Sequence, residues 1–201
     1  MKDNMKVYDI SQEVFSCVVF GKDPAPEKTV LASIKDGDPY NLIKFSMCAH
    51  NGTHIDAPSH FVGDGKTIDQ LAPDRLVGYA YVAEHSGDVT EDDIKDILAR
   101  ARAISDEAAR RILIKGKATL TLEAAKVLSR EGVYLFGNES QTVGPEGSPR
   151  AVHLELLGAD MILLEGARLG EVPEGDYLLF AAPISLGGAE GAPCRAMLVK
   201  H

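Results

Sequence analysis

Residues 50–60 read His50-Asn51-Gly52-Thr53-His54-Ile55-Asp56-Ala57-Pro58-Ser59-His60. No other stretch constrains the fold as much. Gly52 and Pro58 both interrupt helices, so the segment has to be strand or loop. In an extended chain, a two-residue spacing puts His54 and Asp56 on one face. A turn at Gly52-Thr53 allows His50 to face the same cavity. Three of the six histidines and an aspartate therefore fall within eleven residues. One histidine alone would be a core or surface residue by default. This concentration reads as a divalent-metal site, and imidazole with carboxylate suits zinc, manganese or iron(II).

The rest of the chain reads as a scaffold for that segment. Its 201 residues fit one domain, residues 1–201, long enough to bury a core without staples. A net charge of −9 excludes nucleic acid as a partner, because phosphate contact needs a basic surface, and disfavours anionic membrane for the same reason. No apolar run reaches the ~20 residues of a membrane-spanning helix. The first residues, Met1 to Lys6, are polar and no apolar signal core follows, so a cytoplasmic protein is expected. Cys17, Cys48 and Cys194 lie far apart, as free thiols in a reducing compartment do. Cys48 reads as a small core residue despite standing two positions before His50. There is no G-x-S-x-G elbow, P-loop or dinucleotide fingerprint to support a serine nucleophile or a nucleotide cofactor.

Periodicity gives the elements. Val7 to Ser11 predicts a short strand, and Val14 to Phe20 a strand or extended segment. Lys28 to Ile34 and Asn41 to Met47 predict two strands around the turn Asp36-Gly37-Asp38-Pro39. Gly78 to Glu84 predicts a strand. Thr90-Glu91-Asp92-Asp93 is a capping box opening a helix with Ile94, Ile97 and Leu98 on its buried face. Its acids belong to the helix start rather than to a metal. Arg111 to Lys115 predicts a strand. Thr121 caps a second helix, which Gly132 ends as a left-handed cap. After the strand Val133 to Phe136 comes a long loop, Gly137 to Pro149, of the kind that is often functional. Arg150 to Leu157 predicts a helix and Met161 to Leu164 a buried strand. Tyr177 to Ala182 and Cys194 to Val199 predict further strands around the Gly-rich loop Leu186 to Pro193. The class is α/β with a substantial mixed or barrel-like sheet.

His50-x-x-x-His54-x-Asp56-Ala57-Pro58-x-His60-Phe61 resembles the signature of the cyclase-like metal-dependent hydrolases, a group that includes bacterial kynurenine formamidase and isatin hydrolase. Gly137 to Val143 is similar to that family's second loop. His153 with Leu156-Leu157, then Leu163-Leu164-Glu165, is similar to its later metal segment. Ala182-Pro183-Ile184 and Gly191 to Ala196 resemble its C-terminal strands. The resemblance implies a swivelling β/β/α fold with a mixed, barrel-like sheet and flanking helices. It implies that His50 and His54 bind a first metal and that Asp56 is a ligand able to bridge two. His153 would bind a second metal where there is one, and Glu165 would complete or bridge the site. His60 is similar to the family's general acid/base, and dimers or tetramers are implied. Read without the resemblance, His153 is a helix residue on a partly buried face. Glu165 is a buried carboxylate in need of a partner.

The expected activity is hydrolysis of a C–N bond (amide, formamide or cyclic imide) or a lactone in a small molecule, through a metal-activated water. Zinc is the first expectation and manganese the second, as one ion or two. A non-hydrolytic cyclase or dehydratase, or a metal-binding protein without activity, are the other readings. Outside the motif, His85 reads as a turn residue. Arg195 is left open between a substrate contact and a structural ion pair. Ser140 and Thr142 could bond substrate or cap their own loop.

Overall fold

The computed structural model describes residues Met5–Lys200, so most of the polar start lies outside the described range. In chain order the strands are β1 (Lys6–Asp9), β2 (Glu27–Ala32), β3 (Leu42–Ser46), β4 (His54–Asp56), β5 (Val77–Glu84), β6 (Gly87–Val89), β7 (Arg111–Lys115), β8 (Ala118–Leu120), β9 (Leu135–Asn138), β10 (Ile162–Glu165), β11 (Gly175–Phe180), β12 (Gly191–Pro193) and β13 (Met197–Lys200). The helices are α1 (Pro73–Leu76), α2 (Glu91–Ile104), α3 (Leu122–Arg130) and α4 (Arg150–Gly158).

Nine strands form one curled sheet in the order β1-β13-β11-β5-β7-β9-β10-β4-β12. Its centre, β5-β7-β9-β10, is parallel. Both flanks are antiparallel. Parallel strands covered on both faces need apolar side chains at every position, which accounts for Ile112-Leu113-Ile114 and Ile162-Leu163-Leu164. Alternate residues feed two cores. Ile112, Ile114, Phe136 and Leu163 pack with Ile94, Leu98, Leu128 and Leu156 of the helices. Leu113, Leu135, Ile162 and Leu164 pack on the other face with Ile10, Ile55, Leu179 and Leu198. The mixed α/β architecture is therefore as expected.

Helix ends follow local chemistry. The Thr90 hydroxyl and Asp93 carboxylate cap α2 reciprocally. Thr121 caps α3, and Gly132 stands at φ 68° just beyond it. Three expectations need correction. Val14–Phe20, expected as a strand or extended segment, forms no strand, and at its start the Glu13 carboxylate accepts the N–H groups of Phe15 and Ser16 and winds Val14–Ser16 into one 3-10 turn, after which Cys17 is extended. Cys48 is half-buried rather than in the core. The pair β6–β8 and the short β12 had no periodicity to reveal them, being three residues each.

β2 and β3 form a separate antiparallel hairpin. Val30 is 60% and Phe45 53% exposed, with Leu31, Leu42 and Ile43 also open to solvent. A two-stranded hairpin is marginally stable by itself. A groove of about 450 Å³ runs between it and the body, lined by Phe15, Ile43, Phe45, Met47 and Ile184 among others.

Candidate metal centre

β4 carries the centre of the motif, and its register sets the geometry. His54 lies directly opposite Glu165 of β10. Directly opposed residues share a face of the sheet, and so do residues two apart on one strand. His54, Asp56 and Glu165 thus project together toward the helix-covered side, while Ile55 and Leu164 fill the opposite core. α4 runs past this face and brings in His153. Gly52, at φ 68°, reverses the chain before β4 and returns His50 to the same place. Pro58–His60 forms a 3-10 turn that presents His60.

All six expected residues converge. His54 Nε2 lies 3.3 Å from Asp56 Oδ1 and 3.4 Å from Glu165 Oε2. His153 Nε2 lies 3.1 Å from Glu165 Oε1 and 3.8 Å from Asp56 Oδ2. His50 Nδ1 is 2.8 Å from Asp56 Oδ1. Two triads of donor atoms result, His54–Asp56–Glu165 and His50–Asp56–His60, with Asp56 common to both. His60 stacks on His50 with ring centroids 4.1 Å apart.

The donor set fits a divalent cation. Asp56 and Glu165 are buried carboxylates side by side, 0% and 3% exposed. Uncompensated, two such charges are strongly unfavourable. His54 Nε2 and Asp56 Oδ2 are buried without a hydrogen-bond partner, because their ionic contacts lack hydrogen-bond geometry. The Nδ1 atoms of His54 and His153 have backbone partners. His54 Nδ1 bonds the Gly52 carbonyl at 3.0 Å and His153 Nδ1 the Pro149 carbonyl at 2.9 Å. Such carbonyl bonds fix Nδ1 as the donor and leave the Nε2 lone pair for a cation.

The electrostatics agree. Burial alone would lower the pKa of His54, but Asp56 and Glu165 outweigh it and hold it up to about 10. Burial likewise opposes, and the Glu165 carboxylate reverses, the shift of His153, which is raised. Burial would raise the carboxyl of Asp56, but His50 and His54 hold it well below the usual carboxylate range. His60 differs: its burial prevails and its pKa is lowered.

A cavity of about 260 Å³ opens over these groups, lined by Phe20, Asp23, Phe61 and Thr142 as well as His60 and His153. Thr142 Oγ1 is buried with no hydrogen-bond partner. The Ser140 hydroxyl instead accepts from Thr142 N within its own loop. Arg195 pairs with Asp9, Glu139 accepts the N–H groups of Gly116 and Leu169, and His85 sits in a turn beside the Asp88 carbonyl, so all three are structural. Cys48 does not line the cavity.

Sequence reasoning missed three participants. Glu190 Oε1 lies 3.3 Å from His50 Nε2. Gln12 and Gln141 hydrogen-bond each other, and Gln141 lines the cavity. An isolated Glu or Gln in a loop carries no spacing signal. Gly191, next to Glu190, has a definite role: a Cβ there would lie 2.5 Å from the His50 ring. Gly191→Ala is therefore expected to push His50 out of place, with about 1–3 kcal/mol of overpacking strain. Thermal melts and metal titration check this; unchanged metal affinity would show that the ring position does not matter.

The match to known proteins follows the same residues. The model of the Cyclase family matches residues 7–145. Kynurenine formamidase of Bacillus anthracis is 32% identical, over 96% of this chain and 97% of its own length. The chain belongs to the Cyclase family. It is an enzyme of that family, a metal-dependent hydrolase. Among solved structures, a potential metal-dependent hydrolase with cyclase activity superposes with a TM-score of 0.79 at 28% identity, covering 98% of both chains. Isatin hydrolase A from Labrenzia aggregata superposes at 0.80 with 20% identity, covering 97% of this chain and 93% of its own, and so shares the fold. The swivelling β/β/α arrangement of the Cyclase family is thereby the fold of this chain.

Proposed function

We propose that this enzyme hydrolyses a C–N bond (amide, formamide or cyclic imide) or a lactone of a small molecule. The observation that carries this is the pair of buried carboxylates, Asp56 and Glu165, facing the Nε2 atoms of His54 and His153, with His153 and Glu165 lining a cavity of about 260 Å³. His54, Asp56 and Glu165 would hold a first divalent ion, with His50 and His153 as further ligands or as a second site sharing Asp56. Zinc suits this mixture of nitrogen and carboxylate donors best, and manganese next. When bound, the metal acidifies a water and polarises the substrate carbonyl.

The chain's own groups do the rest. His60 is neutral at neutral pH, because burial lowers its pKa, and it stands ready to accept a proton at a ring nitrogen. It takes that proton from the attacking water as the carbonyl carbon gains oxygen. It returns the proton to the leaving nitrogen or oxygen as the scissile bond breaks. Phe20 and Phe61 line the cavity with apolar surface.

The test is a panel of formamides, amides, cyclic imides and lactones with zinc or manganese, run in ¹⁸O-water. Turnover with one solvent oxygen in the product supports hydrolysis. Turnover without label would contradict hydrolysis of these bonds, and no turnover on any member would contradict the proposed substrate classes.

Metal uptake should also be linked to pH. A His54 pKa held at about 10 means that the metal-free ring is protonated at neutrality, and this proton occupies a cation position. An incoming metal must displace it, so affinity is expected to rise with pH from neutrality toward about 10. Calorimetry at pH 8 in buffers of differing ionisation enthalpy checks this; metal binding without proton release would contradict it.

We further infer one domain over residues 1–201, a cytoplasmic location, and a homodimer or homotetramer. The apolar hairpin β2–β3, exposed on both faces, favours the last, since self-association would cover it. No helix of the described residues is long and apolar enough to cross a membrane.

A further inference from the structure

Two glutamines meet beside the metal centre, and one of them, Gln141, lines the cavity with His153 and Glu165. Gln141 Nε2 donates to the Gly52 carbonyl at 2.9 Å. That carbonyl is the one that accepts His54 Nδ1–H. Gln141 Oε1 in turn accepts from Gln12 Nε2 at 2.7 Å. Gln12 Nε2 also donates to the Gly166 carbonyl at 2.8 Å, and Gln12 Oε1 accepts Val18 N at 2.8 Å. Carbonyl oxygens only accept and a backbone N–H only donates, so the orientation of both amides is fixed by their partners. Thr53 adds to the knot: its hydroxyl donates to the Gly166 carbonyl at 2.8 Å and accepts Gln12 N at 2.9 Å. Gly166 has φ 68°, and a Cβ there would lie 2.3 Å from Gln141 Oε1 and 2.4 Å from the Gly52 oxygen. The knot therefore clasps the residue two before His54 and the residue just after Glu165.

We propose that Gln141, propped by Gln12, is a positioning residue that fixes the Gly52 carbonyl on His54 Nδ1 and so aims His54 Nε2 at Asp56 and Glu165. The proposal rests on the metal reading of this site. Gly52 lies at a positive φ in a turn, a conformation that its neighbours must hold in place. Without the Gln141 amide, its carbonyl loses the partner that opposes rotation. The imidazole then loses its fixed orientation, and a ligand that must be reoriented on binding holds metal less tightly. Outer partners of this kind are typically worth ~10–100-fold in metal affinity.

Three variants test this. Gln141→Glu keeps the shape but turns an acceptor toward the Gly52 carbonyl. Gln141→Met removes both polar ends without adding charge. Gln12→Met removes the prop, together with the bonds of Gln12 to Gly166 O and Val18 N, and leaves the Gln141 amide in place. The readouts are zinc and manganese affinity by chelator competition, and solvent exchange of the His54 Nδ1–H proton by NMR in metal-free protein. Both Gln141 variants are expected to bind metal ~10–100-fold more weakly and to exchange that proton faster, with Gln12→Met shifted the same way but less. Folded Gln141 variants with wild-type affinity and slow exchange would overturn the proposal. Should neither Gln141 variant fold, Gln12→Met decides by the same two readouts. A wild-type protein that binds neither metal would overturn the metal reading instead, while proton exchange would still decide the positioning role.

Discussion

Asp56→Asn is expected to strip the protein of metal and reduce hydrolysis to background. Asp56 belongs to both donor triads, and its Oδ2 atom is buried with no hydrogen-bond partner. Asparagine has the same shape, so packing is preserved while the charge that cations answer is removed. The effect should extend to metal-free protein. There Asp56 balances a protonated His54, whose raised pKa stabilises the fold below the ordinary histidine value and ceases to do so as pH climbs through about 10. Removing one partner of such a buried pair costs about 3–5 kcal/mol. Denaturant melts in the presence of chelator at pH 7 measure that loss. A variant that keeps stoichiometric metal and activity within tenfold of wild type would mean that Asp56 is not the shared ligand.

His60→Ala should behave differently. It is expected to lower kcat by about 10²–10⁴ while leaving metal content intact, as loss of a proton-transfer group does. The wild-type profile should show kcat/KM falling on the acid side with an apparent pKa below 6.5, because burial depresses His60 and the neutral ring is the active base. That limb should flatten in the variant. His60 also lies within a donor triad with His50 and Asp56. If metal and activity are lost in equal proportion, His60 is a ligand and not the proton carrier.

The parts of this account legible in the sequence share a physical cause. His54 and Asp56 could be paired from spacing alone, because strand geometry makes residues two apart face the same way. The α2 and α3 caps were legible because Thr90, Asp93 and Thr121 act on backbone within their own turn. His153 and Glu165 were different. Each was compatible with a metal role, but their meeting depends on the β4–β10 register and the passage of α4, which are long-range facts. Family resemblance supplied what spacing could not. Gln12, Gln141 and Glu190 stayed invisible because polar loop residues make their contacts through tertiary structure. The start of the Val14–Phe20 segment misled because its β-branched composition was overridden by one carboxylate, that of Glu13, closing a local turn.

The most direct test of the central claim is an anomalous difference map from crystals loaded with zinc or manganese. The account predicts a peak in contact with His54 Nε2, Asp56 and Glu165, and any second peak should share Asp56. A strong peak elsewhere on the chain, with density between Asp56 and Glu165 absent, would contradict it.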